Sequence, residues 1–164
     1  KSWNANTNLW YNLLKVDQDI TISFYVKPST FGTEGTRPCY IQWNWSYRVL
    51  RINLYSNKLD WGLWNWWWNY STFNTSISTS DFQHIVLVYN HTSKTASMYK
   101  NWTLVSTVST TWYSLFTDCT KINIWYDHYT NSSEYLWEMI FEKSSRTAQE
   151  VANYYNLTKS NYWL

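Results

Sequence analysis

Three sets of residues in this chain have the types that do chemistry. Glu134, Glu138 and Glu142 recur every four residues in EYLWEMIFE. Paired carboxylates can protonate and attack a glycosidic bond, but they must stand ~5–5.5 Å apart for retention or ~6.5–9.5 Å for inversion. Four residues of a strand span about 13 Å, so this spacing serves neither geometry. The three read instead as charges on a solvated strand edge, where they discourage sheet-to-sheet pairing. His84, His91 and His128 lack ligand spacing, and His84 at a strand start reads as packed or hydrogen-bonded. Asp118 and Asp127 stand in loops without the D-x-D or D-x-N series of calcium loops. No Ser-His-Asp, Cys-His, phosphate-loop or dinucleotide pattern is present. No catalytic residue and no metal ligand is expected, and the chain reads as a non-enzyme.

The third set is aromatic. Residues 61–68 read WGLWNWWW, five Trp in eight positions. Exposed Trp stacks on sugar rings, and it also buries area against a neighbouring subunit at low entropy cost. Core burial suits Ile20, Phe24 and Trp125. It cannot absorb Trp64, Trp66, Trp67 and Trp68 together, because consecutive strand residues face opposite ways. At least one of Trp66 to Trp68 is expected outward, against sugar, another copy of the chain, or a covering glycan or loop.

The elements that position these residues follow from periodicity. Ile20, Ile22, Phe24 and Val26 alternate with Thr21, Ser23, Tyr25 and Lys27, the pattern of a half-buried strand. Ile85 to Val88 is a continuous apolar run, which suits a strand buried on both faces. A polar turn at 89–94 and a second turn at Asn101-Trp102 set off two further strands, 96–99 and 104–108. Trp at a primed turn is disfavoured where φ must be positive, so a longer turn is expected there. Strands are also read at 9–14, 39–46, 47–55, 58–64, 121–126 and 134–142, the last as one unbroken alternation. Residues 69–80 read as polar loop. Thr147-Ala-Gln-Glu150 is a capping box that opens a helix with Val151, Tyr154 and Tyr155 on one face.

Bulk properties narrow the class. The 164 residues suit one domain, 1–164, with a sizeable core. A net charge of +2 gives no electrostatic case for nucleic acid. No apolar stretch is long enough for a membrane span. Lys1 is not a start residue, which implies a processed chain or a fragment. Seven N-x-[ST] sequons occur, at Asn44, Asn69, Asn74, Asn90, Asn101, Asn131 and Asn156, against about four expected by chance. Asn90 and Asn101 fall at turns and Asn74 and Asn131 in polar loops, where N-linked glycans fit; Asn44 reads as mid-strand. Cys39 and Cys119 suit one disulfide, which would close a loop of about 80 residues and contribute roughly 4–5 kcal/mol, or two separate buried thiols. The sequons favour the disulfide and an extracellular, cell-surface or virion-surface location.

The order of motifs resembles the laminin-G / pentraxin-like group of concanavalin A-type jelly rolls. His84, Ile85, Val86, Val88, Tyr89, Tyr99, Asn101, Leu104 and Val105 stand in the order of its central strands. Asp19 to Pro28 is similar to its early strand, and Leu136, Glu138, Met139, Phe141, Thr147, Glu150, Val151 and Tyr155 to its closing strand and helix. The resemblance implies an all-β, two-sheet antiparallel jelly-roll sandwich with one short C-terminal helix. Some members bind calcium, but Trp137 replaces the group's Asp, and no cofactor is expected.

Two functions compete. The Trp run and low charge favour a structural subunit of an extracellular assembly, such as a filament, coat or virion. Its contacts would be the aromatic patch and the extended ends 1–8 and 159–164. The resemblance favours a lectin-like carbohydrate-binding module instead.

Overall fold

In the computed structural model, residues 18–28, 36–43, 47–55, 58–64, 70–111, 121–126 and 134–162 are described. The expected all-β architecture is present. Among the described residues, ten strands form two antiparallel sheets of five, followed by one helix and a short 3-10 turn. The first sheet orders the strands β10 (Glu134–Glu142), β1 (Ile20–Pro28), β6 (Gln83–Asn90), β7 (Thr95–Lys100), β8 (Thr103–Ser109). The second orders them β5 (Tyr70–Ser76), β4 (Lys58–Trp64), β3 (Tyr47–Tyr55), β2 (Thr36–Trp43), β9 (Lys121–Tyr126). Neighbours in each list pair antiparallel.

The centre of the first sheet is buried on both sides. Ile20, Ile22, Phe24 and Val26 share one face with Ile85, Leu87 and Met98, and all are buried. The opposite face carries Thr21, Ser23 and Tyr25 of β1, His84, Val86 and Val88 of β6, and Tyr99 of β7, also buried. The unbroken run at 85–88 therefore means what it was read to mean. The alternation on β1 does not mark a wet face, because helix α1 (Ala148–Thr158) covers it. Val151 of α1 joins Val86, Val88 and Tyr99 in one apolar cluster. Burying Val151 contributes roughly 1.5–3 kcal/mol to that docking.

Several local expectations are corrected. Residues 69–80 are not all loop: Tyr70–Ser76 is β5, paired along β4 from Lys58–Ser76 to Trp64–Tyr70. Its sequence, with Tyr70 and Phe73 three apart, carries no strand period, and the backbone ladder defines it. The alternation of β10 is broken by a bulge, since the register against β1 slips between Trp137 opposite Tyr25 and Ile140 opposite Ser23. Glu138 sits in that bulge with φ of 49°. The single alternation read across 134–142 is therefore interrupted at Glu138. The turn at Asn101-Trp102 is not lengthened. Lys100 pairs with Thr103, and both turn residues take positive φ, 46° and 66°. That is a two-residue primed turn without glycine. The end of the chain is not an extended arm either, since Lys159–Tyr162 is a 3-10 turn with Tyr162 buried. The first strand at 9–14 lies outside the described residues, as does the other arm at 1–8.

Candidate functional site

The site is built where α1 meets the outer face of the first sheet. The helix starts as its sequence requires. Thr147 Oγ1 accepts from the Glu150 amide at 3.3 Å, and Glu150 Oε2 accepts from the Thr147 amide at 2.7 Å. Those bonds hold the Glu150 carboxyl below the usual range, so it is ionised at neutral pH. The turn before the helix is tied down by β1. Thr21 Oγ1 donates to Ser144 O at 2.6 Å and accepts from the Arg146 amide at 3.1 Å. Ser145 Oγ donates to Asp19 Oδ2 at 2.7 Å and accepts from Asn90 Nδ2 at 3.0 Å.

Beneath the helix lies a stack of rings. Tyr25 stacks on Tyr162 at 3.7 Å and on His84 at 4.6 Å between centroids. Tyr154 and Tyr155 lie 5.5 and 5.9 Å from His84. Trp102 leans on Tyr155 at 4.7 Å, which explains why a Trp is held in a left-handed turn. His84 is fully buried and neither ring nitrogen has a hydrogen-bond partner. Burial first, and the Arg146 charge second, push its pKa down to about 4, so it is neutral. The strained Glu138 has a partner that fits its position. Its carboxylate accepts from Tyr154 Oη at 3.3 Å and is bonded by Tyr162. Burial and then Glu138 push Tyr154 up to about 12 and raise Tyr162 as well. Both phenols therefore stay protonated donors.

Beside this stack opens a shallow cleft of about 360 Å³. Its lining includes Glu142, Arg146, Glu150, Asn153, Tyr154 and Leu157. Arg146 and Glu142 pair closely: Nη2 donates to Oε1 at 2.8 Å, and Nε lies 2.6 Å from Oε2 as an ion pair off the hydrogen-bond angle. The guanidinium also lies 4.5 Å over the Tyr154 ring. Arg146 Nη1 is buried without a partner. Asn153 accepts through Oδ1 from Gln149 at 2.9 Å, which leaves its Nδ2 donors unused among the described residues. Leu157 is 78% exposed. The cleft thus combines a ring, an exposed apolar side chain and unused donors with the ionised Glu150. Such a set grips hydroxyl-rich molecules.

The residues singled out in the sequence are scattered. Glu138 and Glu142 serve the site, one as anchor for tyrosines and one as partner of Arg146. Glu134 stands opposite Pro28 in the β1–β10 register. Among the described residues no group of three His, Cys, Asp or Glu is placed to hold a metal. Trp64 pairs with Tyr70 at the end of β4. Trp66, Trp67 and Trp68 lie outside the described residues, with Cys119, Asp118, Asp127, His128 and the sequons Asn44, Asn69 and Asn131. Cys39 lies in β2 opposite Ile52 and Ile124. Asn74 and Asn156 are exposed, on β5 and α1. Asn90 is engaged through its side chain, and Asn101 Oδ1 accepts from the His84 amide at 2.9 Å. Arg146, Asn153 and Leu157 had no signal in the sequence beyond their place around a capping box.

No family model matches the chain, and no curated protein matches it. Solved structures do match. The binding domain of Paraclostridial Mosquitocidal Protein 1 superposes with a TM-score of 0.74 at 17% identity, covering 93% of this chain and 40% of that one. The binding domain of botulinum neurotoxin DC, solved in complex with rat synaptotagmin II, gives 0.74 at 16% over 94% and 39%. A botulinum neurotoxin type C structure, from work tying that toxin's cell entry to two ganglioside molecules, gives 0.71 at 17% over 94% and 38%. The chain spans about 40% of the length of these binding domains. At such identities the likeness establishes the fold. It also overturns the laminin-G / pentraxin kinship read from motif order, since the matches are toxin binding domains. The motifs misled for a physical reason: a doubly buried strand, a tight hairpin and a capped helix on the outer face are needs of the architecture, whatever the lineage.

Proposed function

We propose that this chain is a non-catalytic, lectin-like carbohydrate-binding module of an extracellular or surface-displayed protein. The observation that carries the reading is the open cleft beside α1, where Asn153 Nδ2 is unused next to Tyr154 and the exposed Leu157. Sugars are bound by this combination of ring contact and hydroxyl hydrogen bonds. Catalysis has no free carboxylate pair there, because Glu142 is paired with Arg146 and Glu150 caps the helix. The likeness to toxin binding domains, one of them tied to gangliosides, agrees with recognition rather than turnover. The sequons support an extracellular setting. Binding of the purified chain to an immobilised glycan panel tests the proposal: saturable binding to at least one glycan is expected, and none across the panel would defeat it.

The assembly reading keeps one specific support. β8 is a sheet edge of seven residues with no charge, proline or glycine, and Leu104 and Val105 are exposed on it. The opposite edge, β10, is guarded by glutamates and a bulge. An uncharged edge can pair with its own copy without like-charge repulsion. Sedimentation velocity over a concentration series should show dimer that Val105→Lys removes. A parent chain that stays monomeric throughout excludes this reading.

A further inference from the structure

We infer that the cleft selects a neutral sugar and rejects acidic ones, an inference that rests on the carbohydrate-binding reading. The charges in the lining decide it. Among the described residues lining the cleft Arg146 is the one cation, and Glu142 already engages it at 2.8 and 2.6 Å. Its guanidinium face is against Tyr154. Glu150 is ionised, held so by the Thr147 bonds, and among the described lining residues the one positive charge near it, Arg146, is already paired with Glu142. A sialyl carboxylate or a sulfate brought here meets a net negative charge and no free cation. A neutral pyranose meets complementary groups instead. Its hydroxyls can accept from Asn153 Nδ2 and donate to Glu150 Oε1. Its apolar ring face can rest on Tyr154 and Leu157. His84, behind the cleft, adds no charge because it is neutral.

The geometry also explains why the donors stay poised. Arg146 is anchored at its amide by Thr21 and at its head by Glu142, so the guanidinium is held against Tyr154 and keeps that wall of the cleft in place. Asn153 is restrained by Gln149 one turn earlier. Fixed donors lose little freedom when a ligand arrives.

The test is an array of matched glycans, each neutral structure beside its sialylated and sulfated forms, probed with the parent chain, Asn153→Ala and Glu150→Gln. Asn153 and Glu150 are exposed, and Gln retains the capping box, so both variants are expected to fold. Neutral members should bind at least about tenfold better than their acidic partners. Asn153→Ala should weaken neutral binding about fivefold, the loss of one hydrogen bond. Glu150→Gln should narrow the gap between neutral and acidic forms. Preference for the acidic partners, or neutral binding untouched by Asn153→Ala, overturns the inference while leaving glycan binding standing. Silence of the parent chain on every member overturns the carbohydrate-binding reading itself.

Discussion

Acid should loosen this fold through His84. The ring is fully buried between β1, β6 and α1, and neither nitrogen is bonded. Tyr25 faces it from β1, Tyr154 and Tyr155 face it from α1, and the Arg146 charge acts on it from the turn before the helix. Nothing there welcomes a proton, and its pKa is pushed from 6.5 to about 4. The unfolded chain therefore binds a proton between those values that the folded chain refuses. Stability present above pH 6.5 is lost as pH falls toward 4 and stops falling, on this account, below it. A depression of this size corresponds to roughly 3 kcal/mol in full, of which about 2 kcal/mol appears between pH 7 and pH 4.5. Urea unfolding of the parent and of His84→Phe at both pH values isolates it from the carboxylates, which titrate in both proteins. Phe keeps the stacking and carries no unpaired nitrogens, so it should match or exceed the parent at pH 7. It should also lose about 2 kcal/mol less on acidification. Equal acid losses in the two proteins would refute the reasoning.

Other outcomes follow from single features. Trp102 holds a left-handed turn, which costs about 1–2 kcal/mol, and recovers part of that against Tyr155. Trp102→Gly should therefore melt higher than Trp102→Ala, by about 1 kcal/mol in denaturant unfolding. Thr147→Ala removes the cap and should lower stability by about 1 kcal/mol, read by the same assay. In a glycosylated preparation, glycopeptide mapping should find Asn74 more fully occupied than Asn90, whose Nδ2 is bonded to Ser145. Mass measurement with and without reductant should show Cys39 and Cys119 joined, as a two-proton difference. Two thiols that alkylate without reduction would contradict that.

Much of the architecture was legible because burial writes itself into residue order. The run at 85–88 announced a strand covered on both sides, and Thr147 with Glu150 announced the helix start. Edges were less legible. β5 is mostly polar, and Tyr70 and Phe73 are spaced three apart rather than alternating, so only its pairing with β4 identifies it. The bulge at Glu138 carries no glycine, and its left-handed backbone is sustained by Tyr154 and Tyr162, which arrive sixteen or more residues later. The cleft was the least legible feature. It depends on Asp19, Thr21 and Asn90 fixing the turn that presents Arg146, and none of those contacts is local in sequence.

The central claim is that the cleft between the 144–147 turn and α1 binds sugar. It is tested most directly by titrating the ¹⁵N-labelled chain with the best neutral glycan from the array and following backbone amide shifts. Saturable shifts concentrated in residues 144–157, with a weaker fitted affinity in Asn153→Ala, are predicted. Saturable shifts confined to other parts of the chain, with 144–157 unmoved, would contradict the account.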